Sequence, residues 1–301
     1  MESSELIRAC RPKQWTKNLL VFAAPFFAFR IDPDVWFDAV WALVAFCMIS
    51  SAIYLLNDSI DAEADRKHLR KCYRPIAARL LSVPTALTAS GLLAVVSLTI
   101  AAAISTLLAA VILAYGLIQV AYCLRLKREP LLDLVCIASG FLLRAMAGGV
   151  AAGLTSSPWF LLTVGLLALF LAVEKRKAEL TIAEGSGVMT RQVLERYSMP
   201  LLIRLEGLAS TSAFMSYSLW AAGPALDGAS TTWMLLTVPF VLIGIFRYQL
   251  LSDPDEAQRR LNNNSDRTAE RPEAILVSDR GMRLTLLSWL LTTALIIMST
   301  N

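Results

Sequence analysis

Histidine is almost missing from this chain: His68 is the only one in 301 residues. That excludes a Ser-His-Asp triad, a Cys-His pair and a histidine-rich metal centre. Charge is scarce too. Asp, Glu, Lys and Arg make up 17% of the residues, against 56% hydrophobic, and the mean hydropathy is +0.57. Ordinary soluble domains do not carry that balance. The five cysteines (Cys10, Cys47, Cys72, Cys123 and Cys136) form no CxxC pair and no other metal-ligand spacing. Most lie in or beside apolar runs and read as buried free thiols. The polar stretch Met1 to Lys17 lacks the profile of a cleavable signal peptide. No internal repeat or low-complexity tract stands out.

What the chain does have is a series of apolar runs of about 20 residues, each long enough for one bilayer crossing. The expected fold class is therefore all-α: a polytopic membrane protein forming one integral membrane domain over 1–301. Nine crossings are expected, near 18–32, 35–57, 82–103, 106–124, 131–153, 157–174, 200–222, 231–250 and 283–300. Residues 1–17 carry Arg8, Arg11, Lys13, Trp15 and Lys17 and read as an interfacial segment. The short first crossing contains Pro25, which neighbouring helices must accommodate. A tight turn is expected near Ser105. The stretches 58–81, 125–130, 175–199 and 252–280 are expected as cytoplasmic loops.

Net charge is +4. Topology accounts for it better than nucleic acid does. With the N-terminus inside and alternating crossings, all but two of the 28 Lys and Arg fall at the cytoplasmic side. The exceptions are Arg30, outside, and Arg144, within the membrane. This positive-inside pattern implies an integral plasma-membrane protein with its C-terminus outside and its charged loops on the cytoplasmic face.

The most informative stretch is Asn57-Asp58-Ser59-Ile60-Asp61-Ala62-Glu63-Ala64-Asp65, followed by Arg66, Lys67, Arg70, Lys71 and Arg74. Read as helix, Asp58, Asp61 and Asp65 share one face. Three carboxylates repel unless a cation lies between them, and oxygen-only ligands suit Mg²⁺. The basic residues after them suit a phosphate-bearing ligand, with Asn57 as a neutral oxygen donor. Spacing alone leaves a solvated charged loop equally open.

Further along stand Tyr122, Lys127 and Asp133. Lys127 reads either as a topology-setting charge or as a ligand. Asp133 begins an apolar run, where a carboxylate is costly without a partner. Arg144, eleven residues on, reads as facing a polar cavity or as part of a structural ion pair. Glu174-Lys175-Arg176-Lys177-Ala178-Glu179 reads as a positive-inside helix end or as an anion clamp. Arg247 and Tyr248 read as interfacial anchors.

Nine helices with Asn-Asp-x-x-Asp-x-x-x-Asp after the second, and Arg74-Pro75-Ile76-Ala77-Ala78 beyond it, resemble the UbiA superfamily of intramembrane prenyltransferases. A narrower resemblance is to its decaprenyl-phosphate phosphoribosyltransferase branch. It rests on Arg11-Pro12-Lys13-Gln14-Trp15-Thr16-Lys17-Asn18, Tyr54-Leu55-Leu56-Asn57-Asp58 and Ala121-Tyr122-Cys123 through Lys127. Arg144-Ala145-Met146-Ala147-Gly148-Gly149-Val150 and Lys175-Arg176 with Ala178-Glu179-Leu180 extend it.

The resemblance implies nine helices around a central cavity open to the cytoplasm. It implies transfer of a 5-phosphoribosyl group from phosphoribosyl diphosphate to a polyprenyl phosphate, for cell-envelope arabinan precursors. Asp58, Asp61 and Asp65 are then the catalytic, Mg²⁺-holding residues. Lys17, Asn57, Arg66, Lys67, Arg74, Tyr122, Lys127, Asp133, Arg144, Lys175 and Arg176 are the implied substrate ligands. The implied partners are the two substrates and the membrane, with no nucleic acid and with homo-oligomerisation left open. Ordinary members of the superfamily carry a second aspartate-rich motif in the fourth-to-fifth loop. Here that loop offers Lys127 and Asp133, with Ile137 where a further acid would fall. That fits one diphosphate donor and a monophosphate acceptor. The alternatives are a prenyltransferase acting on an aromatic or quinone-precursor acceptor, and a transporter, which would show charges or broken helices in symmetric halves.

Overall fold

The structure, a computed structural model, describes residues 2–30, 32–67, 71–186, 192–253, 256 and 279–300. Among these there are helices and turns and no strand. Most of the expected 252–280 loop, and His68, lie outside them. The α-helices are α1 (Glu2–Ala9), α2 (Ala23–Phe27), α3 (Pro33–Ile60), α4 (Ala62–Arg66), α5 (Val83–Ile104) and α6 (Thr106–Leu124). Then come α7 (Leu132–Ala151), α8 (Pro158–Ser186), α9 (Met199–Ala221), α10 (Val238–Ser252) and α11 (Arg280–Thr300). The chain packs as two compact units: 1–127 with 139–156, and 128–138 with 157–301.

Seven helices among the described residues are long and apolar enough to cross a membrane: α3, α5, α6, α7, α8, the stretch Thr232–Ser252 and α11. The expected first crossing differs. Residues 12–22 form a 3₁₀ helix that runs into the short α2, which holds Pro25. The sixth crossing also differs, because α8 continues as helix to Ser186 instead of ending at 174. Lys175 and Arg176 are therefore helical residues, not loop residues. The turn near Ser105 is as expected. Ser105 is extended, and its hydroxyl accepts the Leu107 amide at 3.2 Å, capping α6.

In the first unit, α3 presents a stripe of small residues, Ala39, Ala42, Ala45 and Ala52, all buried. Small side chains let backbones approach closely where lipid gives helices no hydrophobic drive to associate. α5 uses that approach: Ser97 donates to the Ala45 carbonyl at 2.7 Å and Ser90 to that of Ala52 at 2.7 Å. Phe46, Leu108, Ile112 and Tyr115 fill the core beside the stripe. Gly148 is required by a contact. A Cβ there would stand 1.7 Å from the Val21 carbonyl oxygen.

In the second unit, α8 and α9 pack along their length, joined by the Thr163–Ser216 hydroxyl pair at 2.9 Å. Phe170, Ala209, Tyr248, Leu251 and Met282 form one of its cores. Tyr248 is buried there, 5.3 Å from the Phe170 ring, so it is a core residue and not an interfacial anchor. Arg247 pairs with Asp279 at 2.6 Å. All five cysteines are free thiols; Cys123 and Cys136 are buried and the other three are half-buried.

Candidate active site

The acidic stretch is not one continuous helical face. α3 runs through Asp58 and stops at Asp61, which leaves helical geometry with φ −88° and ψ 3°, and α4 then restarts the helix. The break divides the three carboxylates. Asp58 and Asp65 are both buried. They share one guanidinium: Arg74 Nη1 donates to Asp58 Oδ1 at 3.0 Å and to Asp65 Oδ2 at 2.6 Å. Asp61 turns to Lys127, whose Nζ reaches its two oxygens at 2.7 and 2.8 Å. Lys71 stands 4.0 Å from Asp65.

Arg74 is positioned by the turn that follows it. Ile76 and Leu81 are buried against Ala9, Leu55 and Ala62, and Ala77 is buried beside them in sequence. The Leu80 amide closes the turn on the Pro75 carbonyl at 2.8 Å. Arg66 ties α4 to the same turn, donating to the Ala77 carbonyl at 3.3 Å. Lys67, at the end of α4, is exposed, and the Asn57 carbonyl accepts the Asp61 amide at 2.9 Å. Lys17 and Tyr122 are half-buried, Tyr122 against the first unit's core.

Arg11, placed by its sequence in an interfacial segment and not among the candidate ligands, joins this cluster. Its Nη2 lies 2.5 and 2.7 Å from the two oxygens of Asp58, and its guanidinium lies 4.9 Å from the Tyr54 ring centre. The local signal was the Arg-Pro pair. Arg11 has φ 55° and ψ 60°, a left-handed conformation uncommon outside glycine, immediately before a proline that starts the 3₁₀ helix.

Arg144 and Asp133 do not pair, although both lie on α7. Arg144 belongs to the first unit and is buried among neutral partners. It donates to Asn18 Oδ1 at 2.7 Å, the Gly140 carbonyl at 2.6 Å and the Tyr115 hydroxyl at 2.8 Å, beside the Tyr115, Phe46 and Phe141 rings. The ion-pair reading of Arg144 is thus replaced by a cage of dipoles and π-faces.

Asp133 belongs to the second unit and is 0% exposed. It accepts Arg176 Nε at 2.8 Å and the Tyr197 hydroxyl at 2.7 Å. Arg176 also pairs with Glu179. Burial raises the Tyr197 pKa, so the phenol stays protonated and donates. One residue after Arg176, Lys177 bridges Glu174, at 3.0 Å, and Glu206. The charges of 174–179, read from sequence as a helix end or an anion clamp, are engaged in two buried internal salt-bridge clusters. Lys175 is half-buried on α8.

Donor chemistry tests the fit to Mg²⁺. Mg²⁺ favours oxygen ligands and usually takes one or two carboxylates, with water and substrate phosphate completing the shell. Asp58 and Asp65 meet that requirement, with a cationic nitrogen already bridging them. Among the described residues no three His, Cys, Asp or Glu side chains gather as a metal group. Each of the three aspartates already has a basic partner: Arg11 and Arg74 on Asp58, Arg74 on Asp65 and Lys127 on Asp61.

A scaffold of apolar helices with a paired-acid, arginine-bridged site defines a class. The model of the UbiA prenyltransferase family matches residues 19–264, and the chain belongs to that family. With the apolar helices, this makes it an integral membrane protein. It is 40% identical over 300 residues to the decaprenyl-phosphate phosphoribosyltransferase of Mycolicibacterium smegmatis, covering 95% of this chain and 90% of that one. It is 39% identical over 293 residues to the Corynebacterium glutamicum protein of the same name, covering 94% and 84%. In fold it is similar to a UbiA homologue from Archaeoglobus fulgidus bound to GPP and Mg²⁺, with a TM-score of 0.68 at 20% identity over 97% of this chain and 96% of that one.

Proposed function

We propose that this protein transfers a 5-phosphoribosyl group from phosphoribosyl diphosphate to a polyprenyl phosphate, releasing diphosphate, in the supply of cell-envelope arabinan precursors. One observation carries the reading: 38–40% identity across 95% of the chain to proteins named decaprenyl-phosphate phosphoribosyltransferase. The geometry supports it, because the first unit offers a single acidic pair flanked by arginines, enough for one diphosphate.

Mg²⁺, when bound, supplies positive charge to the leaving diphosphate. Asp58, Asp61 and Asp65 are the residues that would hold it. Arg74, Arg66 and Lys67 take phosphate oxygens of the donor, and Lys127 orients Asp61. Lys17 and Tyr122 are further candidates in the first unit, and Lys175 is one in the second. Bond breaking at ribose C1 develops oxocarbenium character, as in other glycosyl transfers. The acceptor phosphate is already an anion near neutral pH, so no general base is required and the scarcity of histidine is no obstacle. Catalysis rests on alignment and on charge neutralisation at the leaving group.

The proposed topology has nine crossings, with the N-terminus inside, the C-terminus outside and the site facing the cytoplasm. It is supported by the placement of Lys and Arg, by the seven spans and by the 23-residue length of α9, and it takes the 3₁₀ helix and α2 over 12–27 together as the ninth crossing. Labelled phosphoribosyl diphosphate with polyprenyl phosphate, run beside prenyl diphosphate with an aromatic acid, tests the function. Product is expected only in the first mixture; product only in the second would make the protein an aromatic prenyltransferase.

A further inference from the structure

Arg11 holds a buried carboxylate from a half-exposed position. Its side chain is 29% exposed, that of Arg74 is 26%, and that of Asp58, which both contact, is 3%. The carboxylate is fixed and the two guanidinium groups have room to leave. Asp58 and Asp65 already have basic partners in Arg11 and Arg74, with Lys71 a further 4.0 Å from Asp65. A divalent cation arriving alone must displace an arginine and adds two positive charges to a cluster whose acids are already matched. A diphosphate arriving alone must detach an arginine from Asp58 and sit against the bared carboxylate. Arriving together, the cation takes the carboxylates and the phosphate oxygens take the arginines, and every charge keeps a partner.

Arg11 is built to act this way. Its left-handed backbone is held at both polar groups: its amide donates to the Arg8 carbonyl at 3.2 Å, and its carbonyl accepts the Gln14 amide at 2.8 Å. A sparsely populated conformation persists when its surroundings over-determine it, and such positions cluster at functional sites. The Tyr54 face gives the guanidinium a second resting contact at 4.9 Å, one that does not depend on Asp58.

We propose that Arg11 is a diphosphate-binding residue that occupies Asp58 until a metal replaces it, so that divalent cation and diphosphate bind as a coupled pair. This rests on reading Asp58 and Asp65 as the metal–diphosphate locus. It holds whether the diphosphate is attached to ribose or to a prenyl chain. Removing Arg11 then has two effects of opposite sign: the cation alone binds more tightly, and the cation–diphosphate complex binds more weakly. A purely structural Arg11 gives no such split.

The test uses the full chain in detergent, with Mn²⁺ followed by the EPR signal of the free ion and with inorganic pyrophosphate, allowing for their complex in solution. Wild type is expected to bind Mn²⁺ at least about tenfold more tightly with pyrophosphate than without, within the usual span of coupled sites. Arg11→Ala is expected to bind Mn²⁺ alone several-fold more tightly than wild type and Mn²⁺–pyrophosphate about tenfold more weakly. Arg11→Lys, which keeps the charge but loses the two-point grip, is expected to shift both in the same directions by less, and it carries the test if the alanine variant does not fold. Changes of the same sign, or none, with wild type still binding Mn²⁺–pyrophosphate, overturn the role of Arg11. If wild type binds no Mn²⁺–pyrophosphate, and Asp58→Asn is indistinguishable from it, the locus itself is wrong.

Discussion

Both units of this protein bury acids against bases, but they do so in opposite ways. In the first, Asp58 and Asp65 are buried and the arginines that meet them are about a quarter exposed. In the second, both sides are buried: Arg176 and Asp133 have side chains 1% and 0% exposed. Lys177 is likewise enclosed with Glu174 and Glu206. A buried acid under half-exposed bases can exchange partners, because the bases recover hydration when they leave. A pair buried on both sides cannot, because separating it strands two charges. The sequence shows the same residue types at both places. Exposure of the basic partner separates a site from a staple.

The largest effect should come from stranding a charge in the second unit. Asp133→Ala leaves Arg176 with Glu179 as its remaining acid and takes away the acceptor of Tyr197. A loss of about 3–5 kcal/mol is expected, read as a fall in thermal unfolding temperature in detergent. If Asp133→Ala melts with wild type and loses only transfer, the second-unit cluster is a site after all.

In the first unit, Asp58→Asn should leave the melting temperature close to wild type while lowering transfer by at least about a hundredfold, the scale of removing preorganised charge at a reacting centre. A labelled-donor assay reads it, and full activity ends the metal hypothesis. Lys127→Ala should be milder, about tenfold in kcat, because it frees Asp61 without touching the Asp58–Asp65 pair. A loss as large as that of Asp58→Asn would put Lys127 or Asp61 directly on substrate.

The smallest effect concerns pH. Burial raises the Tyr197 pKa above the ordinary value of about 10. The unfolded phenol therefore ionises first. The stabilisation is complete below pH ~10 and is lost as pH rises towards the folded pKa. Tyr197→Phe should lower stability by about 1 kcal/mol at neutral pH and should flatten the decline in melting temperature above pH ~10. A Tyr197→Phe curve parallel to wild type would show that Tyr197 is not the group responsible.

Much of the scaffold was legible because apolar run length is a local property. α5, α6, α7 and α11 fall within three residues of the expected crossings at every end. Where the reading failed, length was not the deciding quantity. The run at 18–32 carries Pro25 and lies against α7, where Gly148 meets the Val21 carbonyl, and it is folded as 3₁₀ helix and a short α2. The end of α8 looked like a loop because it is charged. Partners on α7 and α9, Asp133 and Glu206, neutralise Arg176 and Lys177 and let the helix continue.

The sequence by itself determined that the chain is helical and membrane-embedded, which residues could carry metal and phosphate chemistry, and to which family it belongs. These follow from composition, run length and contiguous motifs. Tertiary structure alone decided the pairings: Asp58 with Arg11, 47 residues away, Asp61 with Lys127, 66 away, and Asp133 with Arg176, 43 away. It also decided that Arg144 is held by dipoles, 126 residues from Asn18. The physical reason is that a charge on a chain announces only that it needs a partner. Which partner it gets, and whether water can take that partner's place, depends on burial.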